Sequence, residues 1–128
     1  MNDIDTSYLL QEHSNSVKNK AHKLIEKGDL TEMREYFEEN QIKPNEELSE
    51  ITYNWNCMHY ASHFKRPLIL HYLLQLANKY YPYEIVQILN QRTKEGWDPL
   101  MICCIYKSPE CLRVLIELGG SNLTNVDL

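Results

Sequence analysis

A helix–turn–helix pattern returns three times within 128 residues, and little else about the chain constrains its fold so tightly. In the first unit Ala21, Leu24 and Ile25 fall at i, i+3 and i+4, the spacing of one helical face, in a pattern that begins at Ser16. Gly28 interrupts it. Asp29 suits the N-cap of a second helix, with Glu32 three residues later as a capping-box partner. Leu30, Met33, Tyr36 and Phe37 form the apolar face of that helix. Asn40 is the residue expected in the left-handed position that ends it, and Pro44 stops any continuation. In the second unit Cys57, Met58, Ala61 and Phe64 predict a short helix, and Lys65-Arg66 breaks it. Pro67 then opens another helix, with Leu68, Ile69, Tyr72, Leu73 and Leu76 inward. In the third, Pro99 opens a helix with Leu100, Cys103 and Cys104 inward, and Lys107-Ser108 is the break. Pro109 opens the last helix, whose face is Cys111, Leu112, Leu115, Ile116 and Leu118, with Gly119-Gly120 as its end.

Taking Gly28, Lys65 and Lys107 as turn landmarks, the periods are 37 and 42 residues. Periods of this size belong to helical solenoids, in which one unit cannot bury its apolar face and neighbours must stack. Residues 1–16 are polar, with Tyr8-Leu9-Leu10 as the one apolar cluster. They read as an N-terminal tail, either mobile or docked as an arm.

The third unit, Glu95-Gly96-Trp97-Asp98-Pro99-Leu100-Met101-Ile102-Cys103-Cys104, resembles the ankyrin signature G-x-T-P-L-H-x-A-A. Asp98 stands in place of Thr, Met101 in place of His, and the two cysteines in place of the alanines. Cys111 to Gly120 is similar to the family's second helix, V-V-x-L-L-L-x-x-G-A, without a gap. In the second unit Asn54 falls on the Gly position, Cys57 on Pro, His59 on the signature His and Ala61 on the first alanine. The first unit keeps Gly28-Asp29-Leu30 and the apolar pattern after it, as a polar capping repeat would. The resemblance implies an all-α ankyrin-repeat solenoid of antiparallel helix pairs joined by short hairpin loops. Its repeats would span about 17–53, 54–95 and 96–128. Both spacings exceed the family's period. Because Leu89 to Gly96 looks like the usual hairpin, the surplus is expected near residues 78–86, with Pro82 starting an extra helical turn. A fourth repeat would begin at Val126, so the chain is expected to be a piece of a longer protein, or one whose end a partner covers.

Charge and motif narrow the function. The chain carries 13 basic and 18 acidic residues, net −5. Residues 1–50 hold twelve of the acids and six of the bases, and the remainder is near neutral. No basic stripe points to nucleic acid. The longest apolar run, Pro99–Tyr106, is eight residues, too short to span a membrane. The acidic start, Met1-Asn2-Asp3-Ile4-Asp5, does not read as a signal peptide. A soluble domain is expected, cytoplasmic or nuclear, with its four cysteines reduced. His59 and His63 lie at i, i+4 near Cys57, a spacing that can ligate zinc, but no second ligand pair follows at finger spacing. Cys103 and Cys104 are neighbours about 100° apart on a helix, badly placed for a mutual disulfide. No phosphate loop, G-x-S-x-G or H-E-x-x-H is present. No catalytic residue, metal or cofactor is expected.

The resemblance implies that hairpin tips and the outer side of each first helix form a concave binding surface. Its positions are Thr52, Tyr53, Trp55, His63 and Phe64 in the second unit, and Lys94, Glu95, Trp97, Ile105 and Tyr106 in the third. Aromatic and apolar residues dominate where polar ones are the default, and Trp and Tyr are enriched among residues that carry binding energy. The expected function is a scaffold-type protein–protein interaction module binding through Tyr53, Trp55, Phe64, Trp97, Ile105 and Tyr106, with His63 and Lys94 at the rim. The acidic first unit would steer a basic partner toward it. The rival expectation is a structural piece of a longer solenoid, docking or self-associating through an uncapped C-terminal face around Leu123, Val126 and Leu128.

Overall fold

The computed structural model describes the backbone of residues 3–48 and 54–124, and the side chains among them from His13 onward. Among the described residues there are seven α-helices: α1 (Asp3–Lys27), α2 (Leu30–Asn40), α3 (Cys57–His63), α4 (Pro67–Tyr80), α5 (Ile85–Asn90), α6 (Pro99–Ile105) and α7 (Pro109–Gly119). Two 3₁₀ turns, Pro82–Glu84 and Gly120–Asn122, complete the described elements. Helices α1/α2, α3/α4 and α6/α7 pair through short turns. Helices α1, α3 and α6 line up side by side, and α4 packs against α7 behind them.

The turn landmarks mark one repeated backbone device. Gly28, Lys65 and Lys107 all sit in the left-handed region, with φ of 82°, 61° and 56°. That conformation costs a residue with a Cβ roughly 1–2 kcal/mol, and the glycine avoids it. Arg66 and Ser108, the next residues, share nearly identical angles (φ −114°, ψ 77° and 76°), and each precedes a proline at the first helical position. The proline's missing N–H lies where a helix leaves its donors unpaired anyway. The hairpins between pairs are equally compact. The Leu48 N–H donates to Trp55 O at 2.9 Å and the Cys57 N–H to Glu46 O at 3.0 Å. Further along, the Thr93 N–H donates to Trp97 O at 2.9 Å, and the Gly96 N–H returns to Thr93 O.

The core follows from this stacking. The central pair is flanked on both sides, so Met58, Ala61, Ile69, Leu70, Leu73, Leu74 and Ala77 are all fully or almost fully buried. α5 adds Ile85, Ile88 and Leu89 to the same cluster.

Several local expectations need correction. α1 starts at Asp3, not near Ser16, so the segment read as a tail is helical backbone; no Gly or Pro interrupts 3–27. Tyr8, Leu9 and Leu10 have side chains outside the described ones. Gln41, not Asn40, takes the left-handed cap (φ 53°), because the Asn40 amide donates to Tyr36 O at 2.9 Å and Asn40 itself stays helical. Asp29 does cap α2, accepting from the Glu32 N–H at 3.1 Å, but the Glu32 carboxylate pairs with Lys27 at 2.8 Å instead of closing a box. Cys104 is exposed, not inward. Its counterpart Ser62 is buried beneath α6, and no described helix covers α6 in turn. The surplus residues do form extra helix after Pro82, but it runs on through Leu89 and Asn90, which were expected in the hairpin.

Candidate interaction surface

Helices α3 and α6 owe their starts to side-chain caps. Asn56 Oδ1 accepts from the His59 N–H at 3.0 Å, and the Asn56 N–H donates to His59 Nδ1 at 2.9 Å, closing a reciprocal capping box. His59 Nε2–H then donates to Gln91 O at 2.7 Å, tying α3 to the next hairpin. Both ring nitrogens are therefore committed to backbone groups, which fixes the neutral tautomer and leaves none to bind a metal. Burial pushes its pKa down to about 4, against smaller opposing contributions from the Gln91 carbonyl, Asp98 and Glu95. Asp98 caps α6 in the same way, accepting from the Met101 N–H at 2.9 Å. Asn and Asp thus do the signature threonine's work.

These caps hold a continuous band of rings across α1, α3 and α6. His22 of α1 stacks on Tyr60 (centroids 4.3 Å apart), and Tyr60 stacks with Phe64 at 5.8 Å. Trp55 meets Tyr60 at 5.2 Å, His63 edge-on at 5.4 Å and Trp97 edge-on at 6.5 Å. His63 closes onto Tyr106 at 4.3 Å, edge to face. Edge-to-face and offset pairs of this kind each add about 0.5–1.5 kcal/mol beyond burial.

Of the sequence-predicted residues, Trp55, His63, Phe64, Trp97 and Tyr106 therefore meet in one ring band. His63, Phe64, Trp97 and Tyr106 are half-buried, and Ile105 (45 % exposed) and Lys94 are open to solvent. Tyr53 and Thr52 lie outside the described residues. Trp55 differs from expectation: it is only 8 % exposed, because its hairpin folds it between Tyr60, His63 and Trp97 while its Nε1–H donates to Glu95 at 3.3 Å. Tyr60 and His22 were missed. Tyr60 lies four residues before Phe64, on the same helical face, and that spacing was the available signal. His22 carries no such mark, since it joins the band only through the α1–α3 contact.

A shallow hollow of about 280 Å³ opens in this band, lined by Trp55, Tyr60, His63 and Glu95. The Thr93 hydroxyl is the main influence holding the Glu95 carboxyl below the ordinary range, helped by the residue's own N–H and the Trp55 indole. The pKa of His63 is lowered too, which in its case favours the neutral form: burial, then the neighbouring His22, lowers it, and Glu26 partly opposes them. Its Nδ1 is buried without a hydrogen-bond partner.

The cysteines sit elsewhere. Burial pushes the Cys57 thiol up, and its sulfur donates toward Glu46 O at 3.4 Å. Cys103 and Cys111 are buried side by side; the hydrogen bond between them, with burial, raises the Cys103 thiol, and the same bond lowers the Cys111 thiol against its burial. Raised thiols such as Cys57 and Cys103 are poor nucleophiles, and Cys111 is fully buried, its sulfur directed at Ala61 O at 3.7 Å. Among the described residues no group of three or more His, Cys, Asp or Glu could hold a metal ion, and no helix is long and apolar enough to cross a membrane.

Among known families, the model for ankyrin repeats, in three copies, matches residues 18–127. No curated protein and no solved structure matches the chain.

Proposed function

Because the chain belongs to the ankyrin-repeat family, whose members generally act as protein–protein interaction modules, we propose that it binds a protein partner across the α1–α3–α6 face and performs no chemistry of its own. The observation that carries this is the unbroken ring band from His22 to Tyr106, ending at exposed Ile105. The half-buried rings Phe64, Trp97 and Tyr106, with His63, are the anchors; Trp55 supports them from below; Lys94 belongs to the rim. Amphipathic rings offer large contact area at low conformational cost, which suits them to this role. An excess of acid in the first half favours a basic partner and speeds encounter.

Affinity capture from the native source tests this. Wild type is compared with Trp97→Ala/Tyr106→Ala, after circular dichroism shows both fold. A partner lost with the double variant is the expected result. A partner retained by both overturns the assignment to this face.

A second reading has its own observation. Leu70, Leu74 and Ser62 of the central pair are buried, while their counterparts Leu112, Ile116 and Cys104 in the last pair are partly or fully open. Docking through that face, as in a longer solenoid or a self-associating chain, would cover them. Leu123 already folds back against Gly119 there, and Val126 and Leu128 lie outside the described residues. Sedimentation at rising concentration tests it: mass that grows with wild type but not with Ile116→Lys supports docking between copies, and a constant mass removes self-association.

A further inference from the structure

We propose that the hollow lined by Trp55, Tyr60, His63 and Glu95 receives an arginine side chain of the protein partner. The inference rests on the reading of the α1–α3–α6 face as the binding surface and specifies what that surface selects.

Four observations lead to it. At about 280 Å³ the hollow is below the size of a drug-like ligand site and suits a single side-chain head group. Its walls are aromatic, and ring faces attract cations through their quadrupole. Among the described lining residues the one charged group is Glu95, whose carboxylate is held ionised by Thr93, its own N–H and Trp55. A carboxylate offers about four acceptor sites, so these three donors leave room for another. Finally, the imidazole in the wall does not oppose a cation. Burial favours the neutral form of His63, and His59 behind Trp55 is neutral as well. The only ion pair among the described residues, Lys27–Glu32, is elsewhere, so no lysine or arginine of the chain already neutralises Glu95.

Arginine fits this arrangement better than lysine. Its planar guanidinium can lie against a ring while its edge presents parallel N–H groups to a carboxylate, and it sheds water more readily than an ammonium. A neutral side chain of the same shape would gain neither the cation–π nor the charge-assisted term.

The test uses the full chain and three capped tripeptides, Gly-Arg-Gly, Gly-Lys-Gly and Gly-citrulline-Gly. Binding is followed by NMR at the Trp55 indole N–H, which points at Glu95. The arginine peptide should shift this signal saturably, with the lysine peptide several-fold weaker and the citrulline peptide at least about tenfold weaker. Glu95→Gln keeps an acceptor for the indole but removes the charge, and should weaken the arginine peptide about tenfold. Citrulline or lysine binding as tightly as arginine overturns the assignment, as does arginine binding unaffected by Glu95→Gln or no shift at all. The two readings fail separately. Partner capture lost with Trp97→Ala/Tyr106→Ala but no arginine response removes the arginine site and leaves the surface. An arginine response with capture unchanged in the double variant removes the surface reading on which the site's purpose depends.

Discussion

His59 concentrates much of the chain's local logic in one side chain. Its Nδ1 closes the cap of α3 and its Nε2–H closes the hairpin before α6; the Nδ1 bond requires the neutral ring, whereas the Nε2–H donates in either form. A protein that holds this pKa at about 4 while the unfolded chain keeps about 6.5 binds fewer protons when folded. The stabilisation is therefore complete above pH 6.5 and is lost as pH falls toward 4, by roughly 3 kcal/mol over that window. Urea denaturation between pH 7.5 and 4 checks this. His59→Gln should be less stable at neutral pH but show a flatter profile between 6.5 and 4, and an identical slope in both proteins would sink the assignment. Gly28 makes the opposite kind of demand. It has φ +82°, and a Cβ there would lie 2.9 Å from the Arg66 guanidinium, which donates to Glu26 O. Gly28→Ala should cost about 1–3 kcal/mol, read as a lower urea midpoint with unchanged slope. Both positions were legible in the sequence, His59 through the signature and Gly28 through the spacing of the breaks. The burial of Trp55 was not, because it depends on Glu95, forty residues away, accepting its indole N–H.

Helices read well where a breaker defines them and poorly where only length does. Proline at the first position set the starts of α4, α6 and α7. The start of α1 escaped, since residues 3–16 carry few large apolar groups and helix continuity there rests on the absence of breakers. The ring band was half legible for a related reason. Its hairpin and helix-end members follow the signature register, whereas the His22–Tyr60 stack is created by packing of α1 on α3. α5 shows what the surplus residues do. Its buried Ile85, Ile88 and Leu89 join the core, and its last residue, Asn90, reaches the C-terminal turn. Asn90 Nδ2 donates to Asn122 O at 2.7 Å, and Asn90 Oδ1 accepts from the Thr124 N–H and hydroxyl at 3.0 and 3.1 Å. Asn90→Ala should therefore release that turn while leaving the stack intact. Hydrogen exchange at the Thr124 amide should accelerate about tenfold, with the amides of α4 unchanged. Unchanged exchange at Thr124 would mean the turn is held by Leu123 packing alone.

Across the whole molecule, stability comes from neighbours, so one residue type at one repeat position has different worth in different repeats. Leu74 and Ile116 occupy equivalent places in α4 and α7, seven residues after Pro67 and Pro109. Leu74 is fully buried because the central pair is covered on both sides; Ile116 is 45 % exposed because no described helix pair stacks on α7. The change to alanine removes a similar amount of hydrocarbon at each site, and the environment decides the outcome. Leu74→Ala loses transfer free energy and leaves a cavity between two stacked pairs, for about 2–5 kcal/mol. Ile116→Ala loses only the covered part of its contacts and leaves no cavity, so it should cost under about 1 kcal/mol. Paired urea titrations at low protein concentration measure the difference directly. If Ile116→Ala costs as much as Leu74→Ala, something covers α7 in solution. A concentration dependence of its midpoint would then identify the cover as a second copy, since binding of the folded state alone stabilises by mass action.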